Sequence, residues 1–143
     1  MRDEAIRRRL DPASRDTLQD LGEQLIAEGW YPFCRAVLTK ADWGPGRPLI
    51  VDGIRHVKAL ETLRAIVAPM PVRLVYLGAD AVTRALRLQS RAGGQESDFR
   101  TVEKHSTEIE VSGQLSALAD YVTETDREAT AIAEEIVVWL GRA

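Results

Sequence analysis

Two short apolar runs separated by a stretch with helical spacing constrain the fold of this chain most strongly. The first run, PLIVDG at 48–53, stops at Asp52 and Gly53, and the second run is PVRLVYLGA at 71–79. Between the two runs, apolar residues recur at helical steps, at Val57, Leu60, Leu63 and Val67. Two buried strands joined by a helix pair in parallel, with a right-handed crossover. The pattern therefore predicts an α/β fold.

The same alternation of helix and strand continues along the chain. Ser14 is placed to cap a helix whose apolar side carries Leu18, Leu21 and Leu25. Further helical stretches are predicted over 31–41, 80–91 and about 100–118, and an amphipathic helix closes the chain.

A third strand is predicted in DYVTET, at 120–125. The predicted architecture is thus a parallel sheet of about three strands with helices on both faces, in one domain over 1–143. The strands lie near 48–52, 71–78 and 120–125.

Composition excludes several classes of protein. The net charge of −3 gives no indication of binding to nucleic acid or to an anionic membrane. Cys34 is the only cysteine, which rules out an internal disulfide and a cysteine-rich metal site. The start of the chain, MRDEAIRRRLDPAS, does not have the pattern of a secretory signal, and no apolar run is long enough to span a bilayer. We expect a cytoplasmic protein.

The segment DGIR, at 52–55, is the first candidate site. Gly53 permits a sharp turn close to a ligand, and a helix predicted to start near His56 directs N–H groups toward the same place. Arg55 offers a planar pair of donors to phosphate oxygens, and Asp52 is suited to a hydrated Mg²⁺. The alternative is that Asp52 only caps the helix while Arg55 pairs with a surface acid.

A basic helix is the second candidate. Arg84, Arg87 and Arg91 stand at steps of three and four and so share one helix face, ahead of a glycine pair and an acidic segment. Such a helix, running into a loop, would close over a polyphosphate and neutralise charge that develops during phosphoryl transfer. A solvated helix face explains the same pattern. Trp43, in a Gly/Pro turn, either stacks on a base or packs within the protein.

Four segments in the same order resemble the P-loop nucleoside and deoxynucleoside monophosphate kinases, including adenylate-kinase-like and dephospho-coenzyme-A-kinase-like proteins. LDPASRDTLQDLGEQLIAEGWYPFCRAVL resembles the acceptor-binding helices, and IVDGIRHVKALETLR resembles the third strand with its Asp-Gly-x-x-Arg segment. Here Arg55 comes one residue earlier. VRLVYLGADAVTRALRLQSR is similar to the fourth strand and lid helix, and LADYVTETDREATAIAEEIVVWL to the last strand and closing helix. Ala119 and Asp120 match a pair common in the family, whereas the Asn that follows it there has no match.

The resemblance implies roles for individual residues. Asp52 would be catalytic and would hold Mg²⁺ through water, and Asp52, Gly53 and Arg55 would bind the acceptor phosphate. Arg15 would contact the acceptor nucleotide, and the lid would supply catalytic contacts from Arg84, Arg87 and Arg91. The implied cofactors are Mg²⁺ and ATP, and the implied substrate is a small phosphorylated acceptor such as a nucleoside monophosphate. Acceptor-binding helices would occupy 1–47, and core strands and the lid 48–143.

One family element is missing from these residues. No G-x-x-x-x-G-K-[ST] motif occurs, and Lys40, Lys58 and Lys104 all lack a preceding glycine. In the family, the phosphate loop and its strand precede everything matched here, and that strand is central, between the strands expected at 48–52 and 71–78. We therefore expect a partial P-loop fold that lacks its first strand, with impaired ATP binding.

Three hypotheses follow from this departure. The chain is a fragment of a nucleotide phosphotransferase that is inactive alone, or a non-catalytic protein that binds a nucleotide or a partner, or a structural remnant without activity. Without the central strand, the flanking strands must pair directly or leave backbone groups unpaired in the core. The alternative is that a complementary chain or self-association fills the gap.

Overall fold

The computed structural model describes residues 1–80, 82–84, 86–87 and 110–142. Its residues form two compact units. Unit 1 comprises Met1–Ile54 and Lys58–Val72, and unit 2 comprises Arg55–Val57 and Arg73–Ala143. The described part is mostly helical and contains a two-stranded parallel sheet. None of the described helices is long and apolar enough to cross a membrane.

Three helices begin unit 1: α1 (Arg2–Arg7), α2 (Arg15–Ala27) and α3 (Trp30–Lys40). The predicted cap is confirmed, because Ser14 Oγ accepts from the Thr17 backbone N–H at 3.2 Å and satisfies a donor that the first turn leaves unpaired. Helix α1 was not predicted. Its Glu4 accepts from the guanidinium groups of Arg7 and Arg8, pairs that span one helical turn.

Helix α4 (Val57–Val67) follows and supplies the other half of the unit 1 core. The buried residues of this core come from α3 and α4: Cys34, Leu38, Ala59 and Leu63. Partly buried side chains pack around them, among them Trp30, Phe33, Trp43 and Ile66. The helical spacing seen in the sequence is therefore confirmed here, since it places one apolar stripe of each helix in the core.

The first predicted strand is wrong. Residues 47–56 have no regular secondary structure, and Ile50, in the middle of the run expected to be buried, is 94% exposed. A strand needs a neighbouring strand to accept and donate its backbone hydrogen bonds. Within the described residues, the sheet has only two strands, so the predicted number of about three is also wrong.

Unit 2 contains the sheet, formed by β1 (Val75–Gly78) and β2 (Tyr121–Glu124), which confirms the second and third predicted strands in shortened form. The strands are parallel, with Val75 opposite Tyr121 and Gly78 opposite Glu124. Asp120 fixes the start of this register. Its carboxylate accepts from the Leu74 backbone N–H at 2.7 Å, and its own N–H donates to Leu74 O at 2.8 Å.

Helix α5 (Ala129–Leu140) closes the chain and packs against β2. The Trp139 ring stacks on Tyr121 with centroids 4.9 Å apart, and the Tyr121 hydroxyl donates to the carboxylate of Glu135. That carboxylate also pairs with Arg127 at 2.8 Å, and Arg127 donates to the hydroxyl of the buried Thr123 at 2.9 Å. This network ties the helix to one face of the strand.

Two other predicted helices are described only in part. Helical residues occur at 82–84 and 86–87, while the remainder of the predicted 80–91 helix lies outside the described residues. Of the helix expected over about 100–118, the structure describes a π-helix at Glu110–Leu115 followed by a short α-helical turn.

Candidate functional site

The carboxyl ends of β1 and β2 carry the best-defined candidate site. In parallel sheets, ligands bind at this edge, because loops and helix amino termini meet there. After β1 the chain passes through Asp80 into the helical turn that carries Arg84 and Arg87, and after β2 it passes through Thr125. All four residues belong to unit 2.

Asp80 starts the helical turn. Its Oδ1 accepts from the Thr83 backbone N–H at 2.6 Å, and its carbonyl accepts from the Arg84 N–H at 3.0 Å. The hydrogen bonds from the Thr83 backbone and hydroxyl lower the pKa of Asp80, with smaller help from the charge of Arg84. Asp80 is therefore an ionised cap that holds the arginine-bearing turn at the end of β1.

Arg87 joins that turn to the end of β2. Its guanidinium donates to Thr125 Oγ1 at 2.8 Å and also to the Thr125 carbonyl oxygen. The Thr125 hydroxyl donates in turn to Gly78 O at 2.7 Å, and the Thr125 N–H donates to the same carbonyl at 2.8 Å. One threonine thus connects the last residue of β1 with the predicted lid arginine.

Glu124 adds an acid at the last residue of β2. Its carboxylate lies directly over Gly78, where an added Cβ would approach Glu124 Oε1 to 2.6 Å. Position 78 is a glycine, which leaves this space open. Residues of both charges therefore follow or end the two strands, and Arg84, Arg87 and Glu124 are all exposed.

The other predicted site residues have different surroundings. Asp52 and Gly53 lie in the irregular segment of unit 1, and Arg55 belongs to unit 2. Asp52, Gly53 and Arg55 are all exposed. Gly53 has a φ of 80°, in the left-handed region that favours glycine, but the backbone makes no turn or bend at 51–56, so the predicted sharp turn is not seen. Because α4 begins at Val57, Asp52 does not occupy its N-cap position, which removes the alternative role as a cap.

Two predicted residues carry little further information. Arg15 is the first residue of α2, and Arg91 lies outside the described residues. Thr125 and Asp80 were missed as parts of a site. Asp80 stands three residues before Thr83, a spacing typical of a helix cap, whereas no local pattern links Thr125 to Arg87.

The side chains near the candidate sites offer few ligands for Mg²⁺. The described residues contain no group of three or more His, Cys, Asp or Glu side chains able to hold a metal ion. Asp52 alone offers one exposed carboxylate, which fits Mg²⁺ only as a single ligand to an ion held mainly by water and by substrate phosphate. For ATP the fit fails, since the glycine-rich loop and its lysine are absent from the sequence.

No protein-family model, curated protein or solved structure matches this chain. The resemblance to nucleotide kinases therefore stays a prediction that rests on the segments quoted above.

Proposed function

We propose that this chain supplies the acceptor-binding and lid parts of a nucleotide-kinase-like phosphotransferase and transfers no phosphate on its own. The observation that carries the proposal is the hydrogen bonding of Arg87 to Thr125 at the carboxyl edge of a parallel sheet. That contact supports an arginine-bearing turn at the place where parallel sheets bind ligands.

The charges at this edge suit a phosphorylated ligand. Guanidinium groups match phosphate oxygens in geometry and keep their charge at every physiological pH. Arg84 and Arg87 are exposed, and both come from a turn capped by Asp80. These arginines would bind the phosphoryl group and neutralise its negative charge, which is the lid role that the resemblance implies for them.

The acceptor would be held by the other predicted segment. Arg55 would bind the acceptor phosphate, Gly53 would let the backbone approach it, and Asp52 would carry the water ligands of Mg²⁺. When bound, Mg²⁺ would offset charge on the phosphates. The irregular conformation of 47–56 suits a role in binding, because loops supply binding residues more often than packed strands do.

The test is a calorimetric titration of the full chain with two probes, adenosine monophosphate and tripolyphosphate. We expect Arg84→Gln and Arg87→Gln to weaken tripolyphosphate binding by about tenfold each, because each removes a charge-assisted contact. Arg55→Gln should weaken the binding of adenosine monophosphate by a similar factor. The matched control is Arg73→Gln, an exposed arginine before the amino end of β1, at the opposite end of the strand.

A contrary result has a clear form. If neither probe binds, the proposal fails. It also fails if Arg73→Gln weakens the binding of both probes as much as the other substitutions do, because general surface charge would then explain the binding. Circular dichroism of Arg87→Gln should match the unsubstituted chain, so that lost binding is not lost folding. A phosphoryl-transfer assay with ATP and adenosine monophosphate should show no turnover by the chain alone.

A second candidate, a non-catalytic partner-binding protein, is favoured by exposed apolar side chains. Ile50 is 94% exposed, and the strand residues Leu77 and Val122 are 55% and 53% exposed. Soluble monomeric proteins rarely expose large apolar patches, and such patches mark interaction sites. Sedimentation velocity over a range of concentrations would detect self-association, and Ile50→Lys or Leu77→Lys should abolish it. A monomer at all concentrations would exclude self-association as the role of these exposed side chains.

A further inference from the structure

A cavity of about 320 Å³ lies within unit 1, between the carboxyl ends of α3 and α4. Its volume is at the lower end of the roughly 300–1,000 Å³ range of small-molecule sites. The lining comes from the last turns of both helices and from the Gly/Pro turn that contains Trp43. The residues proposed above to bind phosphate are not among its lining.

Eight of the ten residues that line this cavity are apolar, although polar atoms contribute almost half of its surface. Leu38, 5% exposed, lies on one side, Ile66 and Val67 lie on another, and Trp43 and Met70 complete the apolar lining. An indole ring and a thioether both favour contact with flat, polarisable groups. These walls therefore suit an aromatic ring system better than a sugar or a chain of hydroxyls.

The polar groups around the cavity are largely occupied by the protein itself. The Trp43 indole N–H donates to Arg47 O at 2.9 Å, and the Met70 sulfur accepts from the Gly46 N–H at 3.2 Å. The ends of both helices are also satisfied, since the Trp43 N–H donates to Leu38 O and the Met70 N–H donates to Val67 O, each at 3.0 Å. These particular donors are therefore not available to a ligand, whereas other polar atoms of the lining still face the cavity.

The cavity lining also contains one charged side chain, that of Arg35. Arg35 is the only charged residue that lines the cavity, and the part of the chain that the structure describes offers its side chain no ion-pair partner. It lies one helical turn before Leu38 and Thr39 on the same face of α3. Its charge is therefore complementary to an anion at the mouth of an apolar cavity.

We infer that this cavity binds a small amphipathic anion, namely a flat aromatic ring system that carries one carboxylate, sulfonate or phosphate. The ring packs between Trp43 and the apolar side chains of the helices, and the anion pairs with Arg35. The site is separate in its residues from the proposed acceptor and lid groups, so it adds a second ligand to the proposed function.

The experiment is a titration of the ¹⁵N-labelled full chain with 2-naphthoate, followed by NMR, with neutral 2-naphthylmethanol as the matched probe. We expect 2-naphthoate to shift the Trp43 indole N–H signal and the backbone signals of 66–70 more than the indole signals of the other tryptophans. Arg35→Gln should weaken the binding of 2-naphthoate by about tenfold. It should change the binding of the neutral probe by less than about twofold. Arg2→Gln, an exposed arginine on α1, is the control and should change neither.

A second variant tests the cavity rather than the charge. Ala68 lines the cavity, so Ala68→Leu should fill part of it and weaken the binding of both probes. Circular dichroism of this variant should show that the helices are retained. The inference is overturned if the shifts are spread evenly over the chain. It is also overturned if Arg35→Gln and Arg2→Gln have equal effects, because the cavity would then be a packing gap without a ligand.

Discussion

Unit 1 and unit 2 differ in how completely they bury their apolar side chains. In unit 1, Leu38 and Leu63 are 5% and 6% exposed and face each other's helices within one cluster. In unit 2, Leu77 and Val122 sit in the middle of paired strands and are still more than half exposed. Both units draw on similarly apolar segments of sequence, so composition does not explain the difference.

The difference lies in how helices and strands satisfy their backbones. A helix pairs its own N–H and C=O groups, so α3 and α4 need only one apolar stripe each to make a core. A strand must find neighbours, and an isolated pair of strands is only marginally stable in water. In the described residues β1 pairs with β2 alone, and helix α5 covers part of one face. Unit 2 therefore depends on further covering surface more than unit 1 does.

The largest predicted effect compares a buried leucine of unit 1 with an exposed leucine of unit 2. Leu63→Ala should lower the free energy of unfolding by about 2–5 kcal/mol, because it leaves a cavity in a packed cluster. Leu77→Ala should cost less than about 1 kcal/mol, since most of that side chain already contacts solvent. Urea denaturation followed by circular dichroism measures both. Equal losses in the free energy of unfolding would contradict this difference between the units and would show that Leu77 is buried in solution.

A smaller change in stability is expected when the cap of helix α2 is removed, and it tests how much that local contact stabilises unit 1. Ser14→Ala should lower the free energy of unfolding by about 1 kcal/mol, because the Thr17 N–H loses its side-chain acceptor at the start of α2. Ser14→Asp keeps an acceptor and should retain most of the stability. Thermal and urea unfolding of the three proteins gives the ranking. If both variants lose equal stability, packing around Ser14 matters more than the cap.

The smallest effects concern two half-buried surface carboxylates, one in each unit. Hydrogen bonds from Arg7 and then Arg8 lower the pKa of Glu4 to about 2, and hydrogen bonds from Tyr121 and then Arg127 lower the pKa of Glu135. A carboxyl whose pKa falls on folding stabilises the protein above its unfolded pKa, and this contribution is lost as the pH falls through the folded pKa. Because solvent screens charges at the protein surface, the contribution of each group is small.

The variants Glu4→Gln and Glu135→Gln test this pH dependence. Each should lower the urea midpoint relative to the unsubstituted chain near neutral pH. The difference should shrink as the pH falls below the ordinary glutamate pKa of about 4.3, and for Glu4 it should persist down toward about 2. A difference that is constant from neutral to acidic pH would mean that the substitutions act through packing and not through charge.

The sequence predicted those parts of the fold that are encoded by local spacing. The cap at Ser14, the helices near 31–41 and 57–67 and the closing helix all follow from periodic apolar residues and are confirmed. The strands at 71–78 and 120–125 are confirmed in shorter form, and their parallel pairing follows from the helical sequence between them. The placement of Arg84 beyond the carboxyl end of β1 follows directly from that strand.

Other features depended on contacts between distant parts of the chain. The run at 48–52 has the composition of a buried strand, but composition does not provide a neighbour for its backbone, and Ile50 is left in solvent. The contact of Arg87 with Thr125 joins residues 38 positions apart, and no spacing rule connects them. The cavity beside Arg35 arises only when two helix ends and a turn meet.

By itself, then, the sequence determined most of the described helices, two of the three predicted strands and the direction of their pairing, because these follow from hydrogen bonds and apolar stripes within short segments. The tertiary structure alone decided which apolar runs are buried, which arginine meets a strand end and where a cavity remains. Those outcomes depend on whether a distant segment supplies the missing partner, and local sequence carries no record of that partner.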